Sequence, residues 1–257
     1  MSDKDPDEHI WKTTRYQLGP SNIPKSTIRY EPVTLLEDFS TVSTETSPDG
    51  NRLYTLGNHK YPSITTVLKA TDKEGAIALS NWRRRMGTEV ASKITAKASF
   101  TGSTWHEFAE KWVTNVPFDW RYFIVPNSAR QGAALASTLN SRIESVIASE
   151  TPIMSHRLKV AGRMDIGAQL LDGRLCILDF KTGRKLKKAN RLRQAAKQCC
   201  FYAQALTEQL PFGSVDTVVI VQILPDAIYW QESPVSYWVP MLEESIAEYS
   251  KKVIRND

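Results

Sequence analysis

The stretch that decides the fold is GRMDIGAQLLDGRLCILDFKTGRK, Gly162–Lys185. Apolar runs flank Asp172-Gly173, a dipeptide suited to a tight hairpin turn, and the pattern predicts two antiparallel β-strands. Each strand nonetheless holds an acid, Asp165 in the first and Asp179 in the second, and Lys181 follows two residues on. A buried carboxylate is costly without a partner, and two such acids on adjacent strands would raise each other's pKa. A divalent cation with hard oxygen ligands, Mg²⁺ or Mn²⁺, relieves that conflict. It would also activate a bound water and stabilise charge on a phosphoryl oxygen. Asp179 and Lys181 leave the strand on one face, while Phe180 points to the other and leaves its backbone carbonyl available as a ligand. An ammonium so placed can orient the attacking water and neutralise developing charge. The set predicts metal-dependent phosphodiester hydrolysis; the alternative is a structural ion pair on a solvated strand face.

Downstream, Lys181–Lys197 reads KTGRKLKKANRLRQAAK with no acid, in a chain of net charge +5. This is either a solvated basic face or a contact for a polyanion, and its position after the hairpin favours nucleic acid. Arg184, Lys185, Lys187 and Lys188 are candidate phosphate contacts, as are Arg83, Arg84 and Arg85 upstream. A helix is expected over about 190–209, then a buried strand VDTVVIVQIL, a neighbour AIYWQE and a last helix over about 236–254.

Upstream, Ser63 is the expected N-cap of a helix in PSITTVLKAT, and a second helix covers about 73–97 with a break at Gly87. Thr104 and Glu107 have capping-box spacing and predict a helix start, with Trp105, Phe108, Ala109 and Trp112 as its apolar stripe. Another helix is expected over 129–149, burying Leu135, Leu139, Ile143, Val146 and Ile147. Residues 1–60 read as an irregular arm with one hairpin around 52–61. Helices followed by β-β-α-β-β-α predict one α/β domain over 61–257, with a helical portion at 61–149 and a catalytic core at 150–257. Trp82, Trp105 and Trp120 are either core residues or base-stacking platforms.

No apolar run approaches the roughly 20 residues that span a bilayer, so no membrane association is expected. The polar, acidic start MSDKDPDEHIWK resembles neither a secretory signal nor a transit peptide. The expected location is intracellular: a phage-infected host or bacterial cytoplasm, or a mitochondrion if an import signal has been removed. Cys176, Cys199 and Cys200 make neither a disulfide framework nor a four-cysteine cluster, so buried reduced thiols and no iron–sulfur cluster are expected.

Four motifs together, GSTWH (Gly102–His106), GRMD (Gly162–Asp165), LDFKTG (Leu178–Gly183) and QCCFY (Gln198–Tyr202), resemble the PD-(D/E)XK nuclease superfamily in its RecB-like branch. The likeness is closest to the mitochondrial genome maintenance exonuclease and related phage exonucleases, and covers about residues 61–206. It implies a restriction-endonuclease-like fold, a mixed central sheet flanked by helices. It implies that His106, Asp165, Asp179 and the Phe180 carbonyl hold the metal and that Asp165, Asp179 and Lys181 are catalytic. Without it, His106 would read equally as a core histidine. It further implies DNA-binding or supporting roles for Gln198, Tyr202, Thr182, Arg184, Lys185, Glu150 and Arg84. The implied activity is a Mg²⁺/Mn²⁺-dependent DNA exonuclease favouring single-stranded ends, in phage or organelle DNA replication, repair or degradation. In relatives the helical portion arches over the site, and residues 61–115 are expected to do so here. The alternatives are a structure-specific endonuclease with the same site and a catalytically inactive nucleic-acid-binding scaffold. The residues leave the protein partners open.

Overall fold

The computed structural model describes residues 5–48, 50–118 and 126–254. The diagnostic hairpin forms as expected: β7 (Val160–Leu170) and β8 (Leu175–Thr182) are antiparallel, and Gly173 in their turn has φ +87°. The Asp172 carboxylate accepts from the Arg174 backbone N–H at 3.2 Å and from its guanidinium at 2.7 Å, which fixes the turn.

Around this hairpin lies a seven-stranded mixed sheet, ordered β1-β10-β9-β8-β7-β6-β2. Its other members are β1 (Lys12–Gln17), β2 (Arg29–Tyr30), β6 (Ile143–Ser155), β9 (Val215–Ile223) and β10 (Ala227–Pro234). The β8–β9 and β2–β6 pairs are parallel and the rest antiparallel. β9 is buried along almost its whole length, as its run of β-branched residues requires of a strand covered on both faces. One face packs on α1 (Ile64–Thr71), α5 (Arg193–Gln209) and α6 (Val235–Ile254), the other on α4 (Pro126–Asn140) and the end of α3 (Thr88–Val113). Helix α2 (Lys73–Met86) buries none of its side chains, and over the first half of α3 only Ala91 is buried.

Three readings of the sequence need correction. The helix expected over 129–149 ends at Asn140, and 143–149 begins strand β6. Ile143, Val146 and Ile147 fit a helical period, but they are β-branched, and neighbouring Val146 and Ile147 enter opposite cores. The capping box at Thr104 does not form: α3 runs unbroken from Thr88, and the Thr104 hydroxyl donates to the Phe100 carbonyl at 3.0 Å. The break at Gly87, with φ +76°, does separate α2 from α3. Finally, the arm contributes to the sheets. β1 pairs with β10 from Lys12↔Glu232 to Gln17↔Ala227. The hairpin near 52–61 is β4 (Arg52–Leu56) with β5 (His59–Pro62), joined by β3 (Ser43–Thr46) in a second, three-stranded sheet. Ser63 caps α1 as expected, its hydroxyl accepting from the Thr66 N–H at 3.0 Å.

Candidate active site

The β7–β8 ladder stops at Ile166↔Leu178. Continuing that register by one step sets Asp165 opposite Asp179. Past this point β7 pairs with β6, and at Ala161 bridges to Ser63, while β8 pairs with β9, so the strands part at the two acids. The β6–β7 register, Ser149↔Ile166 and Thr151↔Met164, sets Glu150 across from Asp165 on the other side. Three acids therefore stand in a row on three adjacent strands. Glu150 has φ +47°, an uncommon conformation for a residue with a side chain.

Each central acid meets an internal cation. Lys181 Nζ donates to Asp179 Oδ1 at 2.7 Å and lies 2.6 Å from Oδ2. His106, reaching in from α3, donates through Nε2 to the Phe180 carbonyl at 3.0 Å and places Nδ1 3.1 Å from Asp165 Oδ2. Both imidazole nitrogens thus face acceptors, an arrangement that suits the imidazolium. Burial alone would lower the His106 pKa, but contact with Asp165 and the charge of Asp179 outweigh it and raise it. Burial and the like charge of Asp165 push Asp179 up against the pull of Lys181. Lys181 is raised because its pairing with Asp179 exceeds the cost of burial. The Glu150 pKa is raised by burial first and then by Asp165 and Glu110.

The fit to a divalent cation is chemical. Asp165 Oδ2 and Asp179 Oδ2 are buried oxygens without a well-aligned hydrogen bond, although each lies near a cation. Two such oxygens and the adjacent Phe180 carbonyl form a hard donor set suited to Mg²⁺ or Mn²⁺. Among the described residues no three His, Cys, Asp or Glu side chains stand close enough together to hold a metal as they are placed. Binding there would exchange the internal pairs for the ion.

The remaining sequence candidates separate by exposure. Tyr202 is buried and packs over Gly162, where a Cβ would sit 2.7 Å from Tyr202 Cε1 and 2.8 Å from its hydroxyl. Burial raises the Tyr202 pKa, and its hydroxyl accepts from Gln198 Nε2 at 3.3 Å. Gln198 is half-buried, one turn before Tyr202 on α5. Thr182 is half-buried at the end of β8, beside Ile223. Arg184 and Lys185 are exposed, as is Arg84, which donates to Asn81 Oδ1 at 2.8 Å. Trp105 is buried in the core, Trp82 is half-buried, and Trp120 lies outside the described residues. Cys176, Cys199 and Cys200 are free and buried.

Two residues were not given this neighbourhood by the sequence reading. Glu110, one turn after His106 on α3, acts electrostatically on Glu150; its only sequence signal is the i, i+4 spacing. Lys187, read only as a phosphate contact, is half-buried and lowered in pKa by burial and then by the charge of Lys181.

A mixed sheet parting at two acids, with a lysine two residues past the second, is the arrangement that metal-dependent phosphodiester hydrolysis calls for. The model of the PD-(D/E)XK nuclease superfamily matches residues 65–244, and the chain belongs to that superfamily. No curated protein matches it. Among the described residues no helix is long and apolar enough to cross a membrane.

Proposed function

We propose that the chain is a Mg²⁺- or Mn²⁺-dependent DNA exonuclease that prefers single-stranded ends, on the RecB-like pattern of phage and organelle exonucleases. The observation that carries the reading is the meeting of Asp165, Asp179 and Lys181 where β7 and β8 separate. When bound, the cation supplies charge neutralisation and an activated water. Asp165 and Asp179 would provide carboxylate oxygens for it, and His106 would join them through Nδ1 once that nitrogen's proton has passed to solvent. Lys181 Nζ carries three protons and Asp179 accepts at most two, so at least one remains for the attacking water or a phosphoryl oxygen. Glu150, Gln198 and Thr182 position this group, while exposed Arg184, Lys185 and Arg84 contact the phosphate backbone. Tyr202 acts from the core, holding Gln198.

Preference for single strands is supported by α2 and the first half of α3. They carry Arg83, Arg84 and Arg85 beside exposed Ile77, Leu79, Val90 and Ile94, a cationic and apolar surface on which unpaired bases can lie. The test is cleavage of end-labelled linear and circular single-stranded DNA with Mg²⁺, Mn²⁺ or EDTA, by wild type and Lys181→Ala. Metal-dependent loss of the linear strand alone, reduced by at least about 10²-fold in the variant, is expected. Cutting of circles would make the enzyme an endonuclease; binding without cleavage by both proteins would make it a scaffold.

A further inference from the structure

A second set of ligand-type side chains converges outside the nuclease site. His59 and Tyr61 project from β5, and His156 from the turn between β6 and β7. The Tyr61 hydroxyl lies 3.2 Å from His59 Nδ1 and 3.0 Å from His156 Nδ1. The two imidazole ring centres are 4.4 Å apart. On the far side of His156, Nε2 lies 3.2 Å and 3.0 Å from the two carboxylate oxygens of Glu37. An ionised carboxylate only accepts, so Nε2 carries a proton, and in the neutral ring the Nδ1 lone pair is directed at Tyr61. A carboxylate that fixes the tautomer and orientation of an imidazole in this way is the usual support of a metal-ligating histidine.

We propose that His59 Nδ1, His156 Nδ1 and Tyr61 Oη bind a transition-metal ion of the Zn²⁺ class, with Glu37 orienting His156. Donor atoms about 2.0–2.1 Å from a tetrahedral ion are about 3.3 Å from one another. The 3.0 and 3.2 Å separations around Tyr61 Oη are close to that edge, and movement of Oη off the line of the two Nδ1 atoms, with rotation of exposed His59, would open the point between them to the ion. His59 is exposed and His156 half-exposed, which gives the ion a path in and leaves a fourth position for water. Imidazole nitrogens select Zn²⁺ over Mg²⁺, unlike the carboxylate oxygens of Asp165 and Asp179, and the Tyr61 hydroxyl would release its proton to solvent on joining the ion. The bound ion would tie β5 of the small sheet to the β6–β7 turn of the large one. The site is independent of the nuclease reading.

The experiment is calorimetric titration of Zn²⁺, with Mg²⁺ in excess, into the chain carrying Asp179→Asn so that the acids of the large sheet compete less. His59→Gln and His156→Gln are then added separately. The parent should bind one more equivalent of Zn²⁺ than either variant, or bind it at least tenfold more tightly, and Zn²⁺ should raise the thermal midpoint of the parent alone. Exposed His59 carries no core packing, so His59→Gln reads the site without disturbing the fold. Equal stoichiometry and affinity in the parent and both variants would overturn the proposal.

Discussion

Gly162 has no side chain because the Tyr202 ring occupies the space one would need. Ala at this position would put Cβ 2.7 Å from the ring, and the buried ring has little room to retreat. Gly162→Ala should therefore destabilise the fold by about 1–3 kcal/mol, the usual cost of overpacking. Chemical denaturation measures this, and an unchanged midpoint would show that the ring moves freely. The first glycine of GRMD thus has a steric meaning that the motif itself does not reveal. His106 supports a second prediction. Its raised pKa makes its stabilising contribution complete below the unfolded value of about 6.5 and lost as pH rises through the higher folded value. In EDTA, the stability advantage of wild type over His106→Gln should shrink with rising pH in that window. Mn²⁺ affinity should grow over the same range, because the ring must shed its proton to ligate. Parallel stability profiles would remove the charged His106–Asp165 pair. Asp165, Asp179 and Lys181 were legible because strand periodicity and a turn dipeptide are local. Glu110 was not: what gives it meaning is Glu150, forty positions on and brought near only by packing.

Among the elements, α2 and the first half of α3 differ from the rest. Ile77, Leu79, Met86, Val90, Ile94 and Phe100 remain exposed there, so little apolar burial holds these turns to the sheet. Local opening should be far easier than in α5, where Ala196, Cys199, Phe201 and Leu206 are fully buried. Amide exchange over 73–101 should be at least about 10²-fold faster than over 195–206, and single-stranded DNA should slow it. Equal protection in both segments of the free protein would contradict this. Element type was legible where the period was long and pure, as in β9 and α5. It failed at 143–149, where three apolar residues fit a helical period and two register shifts interrupt the strand alternation, so the choice fell to β-sheet partners, β2 on one side and β7 on the other.

At the scale of the whole molecule, the amino-terminal segment adds a last strand to the sheet and gives it a short, polar, charged edge. β1 covers the free edge of β10, Trp11 packs against Trp238 with ring centres 5.7 Å apart, and buried Asp7 pairs with Arg193 and accepts from the Tyr237 hydroxyl at 3.0 Å. These partners lie some two hundred residues away, so KTTRYQ looks like a polar arm in sequence; its meaning is the edge it pairs with. Removing residues 1–17 would expose the β10 backbone and leave Arg193 without its carboxylate. An uncovered edge strand is a template for pairing between chains. The truncated protein should melt earlier and form oligomers as concentration rises. Asp179 and Lys181 on β8, three strands in from β1, and Asp165 on β7, four strands in, keep their direct neighbours in the sheet. Any monomeric fraction should therefore retain cleavage, which separates loss of the edge from loss of the site. Size-exclusion chromatography with an activity assay on each fraction tests both halves: a stable, active monomer would show that the edge needs no cover, and an inactive one would tie the amino-terminal segment to catalysis.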